Sequence, residues 1–596
     1  MVALPLAAAG MRAAGSGFAE SDTIVRHLNL VLAFLGAAVA AREDKLLRLA
    51  TGEFLPEGWV RRTVSFLVGA FAAFVTGALG RAGYEFMQVE REAGTEVLDG
   101  IPLWWVLLPL PIAFAMVGMR LAHRSTGSHG KIALRWGLRA VAFLAFLLGA
   151  WLVGSEELPL GGKAEALWDA PALPGILVIV TATLLGAPLF VALGGVALYL
   201  FLADGVPGEA VPLEMVSLAS SPFLAAIPLF TLAGYVLSQG EAPSRLVAVF
   251  RSTLGWMPGG TAAVAVLACT FFTAFTGGSG VTILALGGLL MRALSEESYP
   301  ERFSLGLLTG SGSLGLLFPP ALPLILFAIA AEVPIEDLFL GGLLPGALLV
   351  VILVIVCFVH GKRTGTPTTP FKPGEAWRAV WNAKFELSIP VVVLVAIFGG
   401  YATIVEAAAL TAAYALVIQI VIHRDIGIVR DLTRVLGECV AVLGGILIIL
   451  CVAKGLTSFL VDAEVPAQVL AWVQDNVDSR FLFLLGLNVF LLLVGCFMDV
   501  YSATFVVVPL ILPLGEAFEI HPVHLGILFV ANLELGYLTP PVGLNLFVAA
   551  YRFDRPLLQV TRASLPFFAI LGIGVLVITY VSYLSLALVG GAGPAE

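Results

Sequence analysis

Apolar runs of about 20 residues recur along nearly the whole chain, and each is long enough to cross a bilayer as a helix. No other feature constrains the fold so tightly. In hydrocarbon every backbone N–H and C=O needs an internal partner, so a spanning chain folds as helices or as a closed barrel. A barrel would show short segments of alternating polarity, and the sequence does not. Of the 596 residues 59% are hydrophobic and 12% are charged, about half the charged share of a soluble domain. The sequence predicts an all-α polytopic membrane protein.

The net charge of −9 comes with no basic patch, so nucleic acid is not an expected partner. The five cysteines, Cys269, Cys357, Cys439, Cys451 and Cys496, stand singly in apolar segments. They read as small packing residues rather than disulfides or metal ligands. The seven histidines fall mostly in loops or at segment ends, which does not suit axial haem ligation at membrane depth. No H-E-x-x-H, G-x-S-x-G or P-loop signature occurs. Enzyme activity is therefore not expected; a membrane subunit of a redox enzyme is the remote alternative. MVALPLAAAG has no basic n-region and does not read as a signal peptide.

Five apolar segments occupy the first third, near 1–10, 27–41, 63–84, 101–119 and 136–154. The loops between them alternate in charge: basic at 41–62, acidic at 85–100, basic at 120–139 and acidic after 154. Basic loops stay in the cytoplasm, which fixes the sidedness of each loop without conflict. From about 172 onward glycine and proline interrupt the apolar runs. A second basic stretch, 361–386, divides this region, and its AWRAVWNAKF portion suits an amphipathic helix on the membrane surface. The predicted organisation is a small N-terminal part (1–155), a periplasmic linker (156–171), a first half (172–360), a cytoplasmic connection (361–386) and a second half (387–596).

The two halves repeat. SLGLLFPPALPLILFA (313–328) lies over ELGYLTPPVGLNLFVA (534–549) at an offset of 221 residues, which pairs Gly315 with Gly536, Pro319 with Pro540 and Pro320 with Pro541. Pro345 pairs with Pro566 at the same offset. Upstream, FTAFTGGSGVTILALGG (272–288) and GCFMDVYSATFVVVPLILP (495–513) match only loosely, but both place small and hydroxyl residues at mid-membrane before a charged turn. Paired Gly/Pro-interrupted segments in two halves point to a secondary transporter. A helix broken at depth presents free N–H groups at one half-helix and free carbonyls at the other. The first suits an anion, and the second, with nearby hydroxyls, suits Na⁺.

Several stretches resemble one family. They are AIPLFTLAGYVLSQG (226–240), GWMPGGTAAVAVLACTFFTAFTGGSG (255–280), YPERFSLGLLTGSGSLGLLFPPALPLILFA (299–328), TIVEAAALTAAYAL (403–416), FMDVYSATFVVVPLILPL and HPVHLGILFVANLELGYLTPPVGLNLFVA. In order they cover most of 215–590, and they resemble the large membrane subunit of tripartite ATP-independent periplasmic (TRAP) transporters. HLNLVLAFLGAAVAAREDKLLRLA and GIPLWWVLLPLPIAFAMVGMRLAHR resemble helices of the small subunit more weakly, with the segment near 136–154 as the helix that fuses the two. The resemblance implies a full first helix, of which VALPLAAAG is about half a span, so the assigned start is expected to lie inside that helix. It also implies an acid in the first Gly/Ser turn, where this chain reads GGSGVTI.

The resemblance further implies an ion-transporter-type inverted repeat with two re-entrant hairpins, and an elevator-like transport domain moving on a scaffold that the small part extends. It implies Na⁺-coupled uptake of an organic acid, possibly a C4-dicarboxylate, delivered by a periplasmic substrate-binding protein to a monomeric permease in the bacterial inner membrane, with no organic cofactor. A stand-alone ion-coupled carboxylate carrier is the alternative. One Na⁺ site is expected at Thr276, Gly277, Gly278, Ser279 and Gly280 with Ser311, Gly312 and Ser313, before Pro319 and Pro320; Thr282 is a further candidate oxygen there. An equivalent set is expected at Asp499, Ser502, Thr504, Asn532, Glu534, Gly536 and Thr539, beside Pro540 and Pro541. Hard cations take oxygen ligands, and Gly277, Ser279, Ser311, Asp499 and Thr539 are the proposed Na⁺ ligands. Asn545 is read as touching substrate or bracing a hairpin. Lys454 is read as a snorkelling lysine near a helix end, Arg292 and Arg302 as interfacial, and Glu406 as structural, a link between transport domain and scaffold.

Overall fold

The computed structural model describes residues 1–13, 20–48, 58–125, 132–153, 173–427, 430–540 and 542–590. The expected linker 156–171, residues 126–131 of the basic loop and Pro541 lie outside the described residues. Ten described helices are long and apolar enough to cross a membrane, or up to twelve if each of two sharply bent pairs is one span.

The N-terminal part comprises α1 (Ala3–Ala13), α2 (Glu20–Glu43), α3 (Trp59–Ala93), α4 (Leu103–Leu107), α5 (Pro109–Arg124) and α6 (Ile132–Val153). α3 has 35 residues, more than the hydrocarbon needs. It ends where Gly94 takes the left-handed conformation. The acidic loop after it closes as a small antiparallel ribbon of β1 (Glu96–Leu98) and β2 (Ile101–Pro102). α6, the expected fusion helix, packs on α3 and α5.

The first half then runs α7 (Leu173–Leu184), α8 (Leu189–Ala203), α9 (Ala210–Ala219), α10 (Ala226–Gln239), α11 (Ala242–Leu254), α12 (Gly260–Thr276), α13 (Ser279–Glu296), α14 (Glu301–Ser311), α15 (Leu322–Ala331) and α16 (Ile335–Thr364). The connection carries α17 (Pro373–Asn382). Its Trp377 and Trp381 are exposed and stacked on each other, and it meets the next helix at 63°. That is the geometry of a helix lying in the interface plane. The second half runs α18 (Lys384–Phe398), α19 (Ile404–Val417), α20 (Asp431–Asp462), α21 (Val465–Asn476), α22 (Arg480–Phe497), α23 (Val500–Ala517), α24 (Pro522–Gly536), α25 (Leu544–Phe553), α26 (Leu557–Tyr580) and α27 (Tyr583–Leu586).

The repeat is stricter in structure than in sequence. The hairpin arms that match only loosely as letters fall in the same 221-residue register: α13 spans 279–296 and α23 spans 500–517. α14 begins at Glu301 and α24 at Pro522, again 221 apart. The halves also differ in places. α9 and α10 are two helices, whereas the corresponding stretch of the second half is the single helix α20.

The halves are interlocked. α13 packs against α25, and α23 against α15; α14 packs against α26, and α24 against α16. Each helix of one half thus finds its counterpart's neighbour in the other. The N-terminal part joins elsewhere, chiefly through α2 on α20, with α3 on α8 and α9. At that joint Gly36 meets Gly444 so closely that a Cβ on Gly444 would lie 1.9 Å from the Gly36 carbonyl carbon.

One expectation gains its partner here and one is corrected. Glu406, expected to be a structural link, has a carboxylate that accepts from the Thr403 N–H (2.8 Å) in a capping box and pairs with Arg12 (2.5 Å), so it ties α1 to α19. Lys454 stands inside α20, two turns from its end at Asp462, rather than at a helix terminus.

The glycine joint yields a test. Gly444→Leu should destabilise the chain by about 1–3 kcal/mol, the usual cost of overpacking. Gly437→Leu, on the same helix with open space around it, should not. Melting temperatures in detergent read the difference; equal effects at both positions would contradict the close α2–α20 approach.

Candidate ion and substrate site

The site is built from two hairpin tips and two helix breaks. At the first tip α12 ends at Thr276, Gly277 turns with φ +66°, and α13 starts at Ser279. A side chain at Gly277 would be strained by that φ and would meet Leu322 at 2.4 Å. At the second tip α22 ends at Phe497, and Asp499 caps α23. Its carboxylate accepts from the Tyr501 N–H (3.2 Å) and from the Ser502 hydroxyl. No ion pair to Asp499 occurs among the described residues, and it is 7% exposed.

The two tips touch. The Tyr501 hydroxyl donates to the Gly277 carbonyl, and the Val500 N–H donates to the Tyr537 hydroxyl at 2.7 Å. A chain of contacts therefore runs from the second break, through the second tip, to the first tip.

Each break sits against its own hairpin. A Cβ on Gly315 would lie 2.3 Å from the Thr270 carbonyl oxygen, and one on the equivalent Gly536 would lie 2.7 Å from Gly495. After Ser311 the first break passes through a 3-10 turn, Leu314–Leu317, and resumes at 46° as α15. Pro319 and Pro320 are buried, but Pro540 is exposed and Thr539 half-buried. The first break is enclosed and the second is open to the outside.

The polar groups at the two tips do not occupy equivalent positions. At the first, the Thr273 hydroxyl donates to the Gly312 carbonyl (2.7 Å) and lies 2.8 Å from the Thr282 hydroxyl, itself 3.2 Å from that of Thr276. At the second, the residues 221 positions on are Val494, Ala503 and Phe497. There the polar groups are Asp499, Ser502 and Thr539, whose counterparts are Gly278, Val281 and Phe318. The expected equivalence of the two sets holds for backbone and not for side chains. Thr504 donates to the Val500 carbonyl of its own helix (2.6 Å), a common back-bond. Thr539 donates to the Gly536 carbonyl at 2.7 Å.

Glu534 and Ser313 are repeat-equivalent, and together they line a cavity of about 10 Å³ between the halves, room for about one water. Glu534 is 4% exposed with Oε1 unpartnered. The Ser279 and Ser311 hydroxyls and the Asn532 Oδ1 are also buried without partners. Asn545 Nδ2 donates to the Thr309 carbonyl at 3.3 Å, bracing α25 of one half on α14 of the other. Gly280 faces Val548 across the same seam. Orphaned hydroxyl and amide oxygens beside helix ends suit a hard monovalent cation such as Na⁺. Among the described residues no group of three or more His, Cys, Asp or Glu side chains is placed to hold a metal ion, so the oxygen set depends on hydroxyls, carbonyls and Asp499. Sequence reasoning missed Thr273, Tyr501 and Tyr537. Threonine and tyrosine inside apolar runs carry no pattern of their own; the 221-residue register would have put Tyr501 at a tip.

Comparison with known proteins agrees with this architecture. Residues 176–584 match the family model of the tripartite ATP-independent periplasmic transporter DctM component, and residues 1–127 match that of the DctQ component. The C4-dicarboxylate TRAP transporter large permease protein DctM of Pseudomonas aeruginosa is 33% identical over 396 residues, 66% of this chain and 92% of that protein. The isethionate TRAP transporter permease protein DctMQ of Oleidesulfovibrio alaskensis is 30% identical over 504 residues, 82% of this chain and 76% of that one. The ectoine TRAP transporter large permease protein TeaC of Halomonas elongata is 30% identical over 345 residues, 58% of this chain and 81% of its own length. With both components in one polypeptide, the chain belongs to the TRAP transporter family as a fused permease, a multi-pass protein of the bacterial inner membrane that works with a periplasmic substrate-binding protein.

Proposed function

We propose that this permease takes up an organic acid from its periplasmic binding protein by Na⁺ symport, and that the two hairpin tips form the transport site. The observation that carries the reading is the meeting of the tips: Tyr501 on one reaches Gly277 on the other, beside the buried carboxylate of Asp499. Non-helical backbone at membrane depth is tolerated where it lines a site, and here four half-helix N-termini and four C-termini lie at the breaks and tips.

Their roles divide by charge. α13 has no acidic residue in its first turn, and the Ser279 hydroxyl at its start is buried and unpartnered. Its N-terminus is the free positive end and would receive a carboxylate. At α23 the same end is already answered by Asp499. One Na⁺ is assigned to the Gly277 carbonyl with Ser279 and Ser311, and a second to Asp499 with Thr539. Relatives are named for C4-dicarboxylate, isethionate and ectoine. All three carry an acid group, so an anionic oxygen group is the shared element, and the remainder of the substrate is set by the binding protein.

Alternating access fits an elevator. The interlocked α12–α16 and α22–α26 form the moving body in an inverted repeat. α8, α9, α20 and the N-terminal part form the scaffold, and α11 and α21 act as arms. Arg245 anchors the first arm to Glu386 and Asp425, each at 2.7 Å. The chain is proposed to act as a monomer.

The test is uptake into proteoliposomes across a panel of radiolabelled organic acids, each with and without the cognate binding protein. Uptake is expected only with the binding protein present, and it should rise with an inward Na⁺ gradient. Full-rate uptake without the binding protein would favour a stand-alone carrier, and indifference to Na⁺ would remove the symport reading. Asp499→Asn should raise half-saturating Na⁺ by about tenfold or more, the scale of losing a charged ligand. Thr504→Val should leave it unchanged, because that hydroxyl is spent on its own helix.

A further inference from the structure

We infer that the Tyr501 hydroxyl is a stand-in for the coupling ion at the first tip, and that its displacement from the Gly277 carbonyl is how Na⁺ at one hairpin is read by the other. The inference rests on the sodium reading above and gives Tyr501, there only the contact between the tips, a part in the response to the ion.

Tyr501 is the second residue of α23, with its ring buried, and its own N–H is bonded to Asp499. Its side chain crosses from the second tip to the first. The oxygen it reaches is a helix C-terminal carbonyl of the kind that suits a cation. A Cβ built on Gly278 would lie 3.9 Å from the phenol oxygen, an ordinary contact, so the hydroxyl reaches the first tip's backbone. The proton of an O–H group and a sodium ion both seek the carbonyl lone pairs. With Na⁺ on Gly277 the O–H dipole points its positive end at the ion, and the bond is lost. The second tip is then held by Val500 and Tyr537 of its own half and no longer by the first tip through this bond. Ion binding at one hairpin thereby frees the other, without any contact between Na⁺ and the second tip. The repeat supplies no counterpart: the position equivalent to Tyr501 is Gly280. The latch therefore runs in one direction, from the second tip to the first.

The discriminating variant is Tyr501→Phe, which removes only the hydroxyl. Without the competitor, half-saturating Na⁺ should fall by about fivefold, the factor one net hydrogen bond is worth, with maximal uptake retained. A merely structural role would lower maximal uptake and leave Na⁺ affinity unimproved. A measurement on the unmodified chain stands beside it: hydrogen–deuterium exchange with Na⁺ against choline. Na⁺ should slow exchange at 276–282 and speed it at 497–503. The latch is overturned if Tyr501→Phe leaves half-saturating Na⁺ unchanged or raises it, or if Na⁺ slows exchange at both tips. If the unmodified chain shows no Na⁺ response in either assay, the sodium reading fails and the latch fails with it. A Na⁺ response that Tyr501→Phe does not shift sinks the latch alone.

Discussion

Unpaired main-chain groups inside hydrocarbon govern this structure. A helix can stop at membrane depth only if other protein covers its exposed carbonyls and amides. Two such stops in two halves can cover each other, which explains the crosswise packing of α13 on α25 and α23 on α15. The same demand explains Gly315 and Gly536, where the break must lie against the hairpin with no side chain between. The interlocking is thus a consequence of making the breaks.

The architecture was legible because it follows from hydropathy and from Pro/Gly placement. The spans, the amphipathic α17 and the 221-residue repeat all show in the letters. The register of the hairpins did not, because α12 and α22 share almost no side-chain identity: backbone geometry is kept by any apolar sequence of the right length. The candidate site was half legible. Ser279, Ser311, Asp499 and Glu534 are polar groups out of place in apolar runs, and they do lie at the tips and breaks. Thr273, Tyr501 and Tyr537 were missed, since these residue types are ordinary in membrane helices and only their partners distinguish them. The partner of Glu406 was not legible for a related reason: Arg12 is 394 residues away, and no local pattern announces such a pairing.

The asymmetry between the breaks has a consequence for access. Pro319 and Pro320 are buried, whereas Pro540 is exposed. In the proposed inverted repeat, the two breaks would not both face the same side of the membrane. Under the proposed alternating access, one enclosed and one open break would belong to a single facing state, and exchanging their environments would give the opposite one. The N-terminal part makes its main contacts with α8, α9 and α20, which suits the static scaffold of the proposed elevator.

In the proposed symport, charge balance would link the two tips to the substrate. At the first tip every oxygen is neutral, from Thr273, Thr276, Thr282 and the Gly312 carbonyl. A cation there leaves a net positive charge in a low-dielectric surrounding, which is costly until an anion joins it. At the second tip Asp499 already supplies the negative charge, so a cation there is neutralised by the protein itself. Under the proposed symport, the neutral tip would favour its ion and an acidic solute together, whereas the acidic tip would be loaded first and alone. Had both tips carried an acid, each ion would be balanced without cargo and the anion would gain little from either. In that proposal the missing acid in GGSGVTI would make the first tip depend on the substrate.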